Sequence, residues 1–322
     1  MRICRVSIGD KPFAAFYQDT HVVSVAAAAE ACAAKTGKRH RVPRDDDLLE
    51  LLPPDGYAHR QAVKLSRWVE EEADAIRDVL GIPVDRAQLL VPVPRPNKLF
   101  LLAGNYAEHI EEGGGTAVER AETFPYLFMK PPSTTLTDPG SPVPVPAVSP
   151  AAIDHELELA VVIGRRTKGV AESDALSCVA GYTVINDISN RRFRPNPGRR
   201  AREKDGFFDW LHGKWHDGFC PCGPCITSAD EIPDPQRLEM ELKVNGQVRQ
   251  RGNTAQQIFP VAAVIEFIAG FVTLEPGDII STGTPAGVGD ARGTYLAPGD
   301  RIEAMIHSIG TLISPVVAEE VE

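Results

Sequence analysis

The sequence predicts an α+β protein, rich in β-structure, with a small α/β domain over residues 1–95 and a larger, strand-dominated domain over 96–322. Three observations support this division. The opening segment mixes strand-like alternation with helix-like apolar spacing. Val91-Pro92-Val93-Pro94-Arg95-Pro96 is too rich in proline for regular structure and makes a boundary. Beyond Asn97 the chain turns to short apolar runs punctuated by glycine and proline, the pattern of a β-rich domain with helices at its margins. A chain of 322 residues, 43% of them hydrophobic, is long enough to bury a core under both parts.

Residues 1 to 25 read as two strands around a turn at Gly9-Asp10-Lys11-Pro12, followed by an alanine-rich helix at about 25–35. After a basic, polar break from Lys35 to Arg44, Asp45-Asp46-Asp47 precedes Leu48-Leu49, an acidic first turn suited to a helix dipole. A further amphipathic helix is expected from roughly Ala58 to Leu80. In the second part, strands are expected at Leu99–Leu102, Glu156–Ile163, Tyr182–Ile185, Glu239–Val244, Asp278–Ser281 and Arg301–Ile306, with helices near Ala107–Glu112 and Phe259–Phe271.

A formal charge of −10 argues against a nucleic-acid binder, which needs a basic face to replace phosphate counterions. The N-terminus lacks the apolar core of a signal peptide, and the most apolar stretch, Val261 to Val272, contains Glu266 and is too short to span a bilayer. These features lead to the expectation of a cytoplasmic protein that engages neither nucleic acid nor membrane. Cys220, Cys222 and Cys225 cluster, but their spacing does not match a zinc knuckle and no second cysteine pair exists, so buried apolar thiols are expected.

The chemistry-bearing segments lie in the second part. Along a strand, Asp154, Glu156 and Glu158 would share one face, and Leu157 and Leu159 the other, with His155 turned away from the acids. Adjacent acids on one face of an apolar sheet repel, and a cation between them removes the repulsion; oxygen-only ligation favours Mg²⁺, Mn²⁺ or Ca²⁺ over zinc. The same residues would also suit the solvent-facing rim of an edge strand. Asp187, after Tyr182–Ile185, supplies a third ligand if the two strands are neighbours, and is otherwise a turn residue. Asn105 is suited to cap a short helix, with Glu108 closing a capping box. His109 and Glu112 then share a face at i and i+3, either as a carboxylate-oriented general base or as a surface ion pair. Lys214 stands between Trp210 and Trp215, where it either faces a developing oxyanion or snorkels across the indole. Arg191, Arg192, Arg194, Arg199, Arg200 and Arg202 fall in one proline- and glycine-bearing loop, which suits carboxylate binding, solvated charge or a subunit contact. Ser281-Thr282-Gly283-Thr284-Pro285 offers hydroxyls to a carboxylate but lacks the ending of a P-loop.

Taken in order, these segments resemble the fumarylacetoacetate hydrolase family over about residues 97 to 315. The resemblance is carried by Glu156-x-Glu158 and Gly181-Tyr182-Thr183-Val184-x-Asn186-Asp187. It extends to Gly104-Asn105-Tyr106-Ala107-Glu108-His109, Phe128-Met129-Lys130-Pro131, Gly213-Lys214-Trp215-His216-Asp217, Pro221-x-Gly223-Pro224, Asn245-Gly246 with Gln250, and Ser281-Thr282-Gly283-Thr284-Pro285-x-Gly287-Val288-Gly289. It implies a mixed β-roll catalytic domain behind a small α/β domain, and a homodimer. It implies that Glu156, Glu158 and Asp187 hold Mg²⁺ or Mn²⁺, with Ca²⁺ also compatible. His109 and Glu112 would activate water and Lys214 would steady an oxyanion, while Arg191, Thr284 and Tyr106 bind a small anionic keto acid. The implied reaction is hydrolysis of a carbon–carbon bond in an acylpyruvate-type 1,3-dicarbonyl acid through a metal-stabilised enolate, in aromatic compound catabolism. Decarboxylases, hydratases and isomerases share that site. The stretch from Arg191 to Trp210 is longer and richer in arginine than in the shortest members, and implies a substrate bulkier or more acidic than a simple acylpyruvate.

Overall fold

The protein is described by a computed structural model covering residues 1–9, 11–54 and 56–320. Its centre is a mixed sheet running Ile82–Pro83, His21–Ser24, Lys11–Tyr17, Arg2–Ile8, Cys220–Ser228, Val179–Asn186, Leu157–Ile163, Ile279–Ser281, Leu99–Ala103 and Tyr126–Met129. Neighbours along this path are antiparallel except Ile279–Ser281 and Leu99–Ala103, which run parallel. A second sheet orders Gln247–Asn253, Glu239–Val244, Arg301–Ile306, Gly310–Ala318 and Val143–Val145.

The two central strands, Leu157–Ile163 and Val179–Asn186, are buried along their whole length. Period-2 alternation, interrupted once where the register shifts between Val162 and Ile163, divides their side chains between two cores. Leu157, Leu159, Val161 and Ile163 join Tyr182 and Val184 in a core shared with Met240, Leu242, Ile302 and Leu312 of the second sheet and Val264, Ile265 and Ile268 of the helix Val261–Phe271. Ala160, Val162, Ala180 and Ile185 face the opposite core, which contains Ile3, Phe16, Val23, Ala28, Leu51 and Leu65 from the N-terminal segment. Sheet pairing therefore crosses residues 91–96: Arg2 and Ile3 pair with Thr227 and Ile226.

Two N-terminal expectations are corrected. The helix expected over 58–80 is two helices, Tyr57–Glu71 and Ala73–Leu80, separated at Glu72, where a run of three glutamates meets the negative end of the first helix dipole. The leucines after Asp45-Asp46-Asp47 form only the short turn Leu49–Leu51, because Pro53-Pro54 follows at once. Asp10, in the expected turn between the first two strands, lies outside the described residues. All six cysteines are buried and unpaired; Cys220 and Cys222 enter one core and Cys225 the other. Among the described residues, no helix is long and apolar enough to cross a membrane.

Candidate metal centre and active site

Glu158 belongs to the strand Leu157–Ile163, Asp187 follows its antiparallel neighbour Val179–Asn186, and Glu156 precedes the first of these. Because Leu157 pairs with Asn186, the strand ends bring the acids together. Each offers an oxygen within 4.8 Å of the other two, and all three are buried. The structure thus discards the edge-strand reading.

Burial alone would raise the Glu156 carboxyl, but Lys214 and Arg191 hold it below the ordinary carboxylate range. Lys214 Nζ donates to Glu156 Oε2 at 3.0 Å and to Asp187 Oδ2 at 2.6 Å. Arg191 Nη2 lies 2.5 Å from Glu156 Oε1. Glu158 is different. Its Oε2 accepts from the Ser281 hydroxyl at 2.6 Å and from the Gly283 N–H at 2.9 Å, while Oε1 is buried with no hydrogen-bond partner. Burial first, then the Asp187 and Glu156 charges, push its carboxyl up to about 8. An all-oxygen trio containing one unpartnered carboxylate oxygen fits a hard divalent cation.

Sequence reasoning did not assign Lys130, which is fully buried with its ammonium 2.5 Å from Asp187 Oδ1 and donating to the Ile188 and Phe219 carbonyls. The available signal was a lysine ending the apolar run Tyr126–Met129, where a charge is tolerated only if paired. Asp154 was expected on the face of Glu156 and Glu158. Instead Ile153–Asp154 is a separate short strand paired with Ser189–Asn190, and Asp154 accepts from Gly289 N at 2.6 Å, Asp290 N at 3.0 Å and Arg191 Nε at 2.8 Å. It orients Arg191, leaving the Nη edge of that guanidinium toward the site.

In the Ser281–Pro285 loop, two of the three hydroxyls are taken up by the protein itself. Ser281 holds Glu158, and Thr282 donates to the Leu159 carbonyl at 2.8 Å. Thr284 accepts from Gln250 Nε2 at 2.7 Å, and Gln250 Oε1 takes the Leu157 N–H at 3.0 Å. Gly283 has φ +87, and a Cβ there would stand 2.9 Å from Asn105 Cβ, so glycine is what allows the loop to reach Glu158. Asn105 is no helix cap: its amide bridges Phe259 and Thr282 backbone groups, and Tyr106 precedes the helix Ala107–Glu112.

On that helix His109 Nδ1 meets Glu112 Oε1 at 2.9 Å, and Glu112 Oε2 accepts from Gly287 N at 2.8 Å. Burial opposes the Glu112 charge, but His109 and the Gly287 N–H outweigh it and lower its pKa. If Nδ1 carries the shared proton, Nε2 keeps a free lone pair. His109, Glu156, Arg191, Lys214 and Thr284 line one cavity of about 180 Å³, with Ala103 and Trp210 among its apolar residues. Tyr106 does not line it: its hydroxyl lies 3.4 Å from the Met240 sulfur and accepts from Gln257 at 3.3 Å.

The sequence profile of the fumarylacetoacetate (FAA) hydrolase C-terminal family matches residues 98–317. The chain belongs to the fumarylacetoacetate hydrolase family. Among curated relatives it is 41% identical to 2,4-didehydro-3-deoxy-L-rhamnonate hydrolase of a Sphingomonas species, over 73% of this chain and 79% of that protein. It is 37% identical to a mitochondrial oxaloacetate tautomerase of Rattus norvegicus, over 73% of this chain and 71% of that one. Among solved structures it resembles maleylpyruvate hydrolase from Sphingobium sp. SYK-6, in complex with manganese(II) and pyruvate, at TM-score 0.66 and 30% identity over 99% and 100% of the two chains. The fumarylacetoacetate hydrolase family thus includes hydrolases and a tautomerase, and the β-rich α+β fold is the one its solved members share.

Proposed function

We propose that the chain is a divalent-metal-dependent hydrolase that cleaves the carbon–carbon bond of an acylpyruvate-type 1,3-dicarbonyl acid. The observation carrying this reading is that His109, bonded to Glu112, and Glu156, one of the Glu156–Glu158–Asp187 cluster, line one cavity with Lys214 and Arg191. Glu156, Glu158 and Asp187 would hold a Mg²⁺ or Mn²⁺ ion, which would supply Lewis acidity to a 2-oxo acid. The manganese–pyruvate complex of the maleylpyruvate hydrolase supports that choice.

Arg191 presents its Nη edge, and Thr284 its hydroxyl, to the substrate carboxylate. Glu112 orients His109, whose Nε2 removes a proton from water as the oxygen bonds to the distal carbonyl carbon. The Lys214 ammonium faces the oxyanion that forms there. Collapse breaks the bond between that carbon and the adjacent methylene. The electron pair leaves with the pyruvyl fragment, which takes up a proton, so the products are pyruvate and a carboxylic acid.

Keto–enol isomerisation is a second reading, favoured by the tautomerase relative, and needs proton transfer without attack by water. Turnover of acetylpyruvate, fumarylpyruvate and oxaloacetate with Mg²⁺, Mn²⁺ or EDTA separates the two. Metal-dependent release of pyruvate with the matching acid supports hydrolysis; interconversion of enol and keto forms without cleavage moves the assignment to isomerase, and carbon dioxide release to decarboxylase. His109→Ala is expected to lower kcat about 10²- to 10⁴-fold with metal binding retained. Unchanged turnover would remove His109 from the reaction.

A further inference from the structure

Beside the catalytic cavity lies a second hollow of about 350 Å³, lined by Ala103, Tyr126, Leu127, Phe128, Phe207 and Trp210. It shares Ala103 and Trp210 with the catalytic cavity, so the two adjoin. No charged side chain lines it. Lys214 stands against the aromatic wall, its ammonium 5.4 Å from the Phe128 ring centre and 5.8 Å from that of Trp210, yet its hydrogen bonds go to Glu156 and Asp187. The catalytic cavity itself, at about 180 Å³, has room for little more than the 2-oxo-acid head of a substrate.

The arginine-rich loop could have brought charge to this hollow, but its side chains serve another purpose. Arg199 bonds Asp205 at 2.9 Å and Asp209 at 2.5 Å, and Arg202 bonds Asp205 at 3.0 Å. Arg192 lies over the Tyr295 ring. None of the six loop arginines lines the hollow. Those ion pairs fix the helix Asp205–His212, which carries Phe207 and Trp210. Phe207 is 56% exposed, so its ring retains apolar surface for a ligand to cover.

We infer that this hollow receives the acyl end of the substrate, and that this end is an uncharged aryl or branched alkyl group rather than a second carboxylate. The inference rests on the hydrolase reading for the reaction, while the recognition can be measured without it. A carboxylate placed among Leu127, Phe128 and Phe207 would lose its hydration with no cation to replace it. A phenyl ring would instead gain both apolar burial and aromatic contact. Of the alternatives left by the loop's length, a bulkier or a more acidic substrate, the lining selects the bulkier.

The test is calorimetric binding of non-cleavable 2-oxo acids to the manganese-loaded full chain: 2-oxobutanoate, 2-oxo-4-phenylbutanoate and 2-oxoglutarate. The phenyl compound is expected to bind at least about tenfold more tightly than 2-oxobutanoate, with 2-oxoglutarate no tighter than 2-oxobutanoate. Phe207→Asp should lower the phenyl-to-methyl affinity ratio by about tenfold, and Phe207→Leu should restore most of it. A wild-type ratio near one, tighter binding of 2-oxoglutarate than of the phenyl acid, or a phenyl preference unaltered in Phe207→Asp overturns the inference. Parallel turnover of benzoylpyruvate and acetylpyruvate separates the two levels. A phenyl preference in binding with neither compound cleaved defeats the hydrolase reading and keeps the subsite. Cleavage of acetylpyruvate with no aryl preference in either assay does the reverse.

Discussion

Three cationic side chains, Lys130, Lys214 and Arg191, contact Asp187 and Glu156, and none of them hydrogen-bonds to Glu158. With its carboxyl pushed up to about 8, Glu158 is largely protonated in the metal-free protein at neutral pH, whereas a metal ligand must be ionised. Metal binding at pH 7 is therefore expected to release about one proton from this site. Apparent affinity should rise about tenfold per pH unit up to about 8 and then level off. The sign for folding follows from the same shift: a raised carboxyl stabilises the metal-free fold at low pH, and this contribution is lost as pH rises from about 4.5 through about 8. Manganese titrations by calorimetry in buffers of different ionisation enthalpy measure the proton directly, and zero release would refute a protonated Glu158. Lys130 shows why part of this balance was hidden in the sequence. It stands far along the chain from Asp187, and only the packing of the finished sheet brings the two together.

At the scale of elements, regular periodicity was readable and its interruptions were not. The strands Glu239–Val244 and Arg301–Ile306 and the helix Ala107–Glu112 lie where alternation and helical spacing predict them. Alternation places Asp154 beside Glu156 and Glu158 only if one strand runs through His155 and Glu156. The chain instead breaks there and changes partners, from Ser189–Asn190 to Val179–Asn186, and alternation does not carry across such a break. Asn105 looks like a local cap in the sequence because the partners of its amide, at Phe259 and Thr282, are far away along the chain. The composition of the arginine run marks it as a loop, but its pairing with Asp205 and Asp209 depends on the helix Asp205–His212, which the sequence does not delimit. That pairing carries its own prediction. Arg199→Ala should speed amide hydrogen exchange across Asp205–His212 and leave manganese affinity unchanged, since no metal-site residue touches Arg199. Exchange rates equal to wild type would mean that Arg202 pairing with Asp205 and Phe128 packing against Trp210 hold the helix without Arg199.

For the whole molecule, the proline-rich segment at 91–96 suggests two domains, yet the sheet and both cores continue across it. Ile3, Phe16 and Val23 from the first segment pack in one cluster with Leu99, Leu101, Ile185 and Ile226 from the second. In addition, the edge of Cys220–Ser228 hydrogen-bonds to Arg2–Ile8. A fragment covering 96–322 would expose that apolar face and an unpaired strand edge next to the strand that leads into Asp187. The full chain is therefore expected to unfold in one cooperative transition, without a separate melt of the first 95 residues. The isolated 96–322 fragment should lack cooperative melting, bind a hydrophobic dye and fail to retain manganese. Calorimetry of both proteins with and without the ion decides the point. A fragment that melts sharply and binds manganese like the full chain would make the first segment a dispensable cover. Loss of both properties would mean that the metal site depends on strands paired far from it, because the strand ends that present Glu156, Glu158 and Asp187 hold their register only inside the complete sheet.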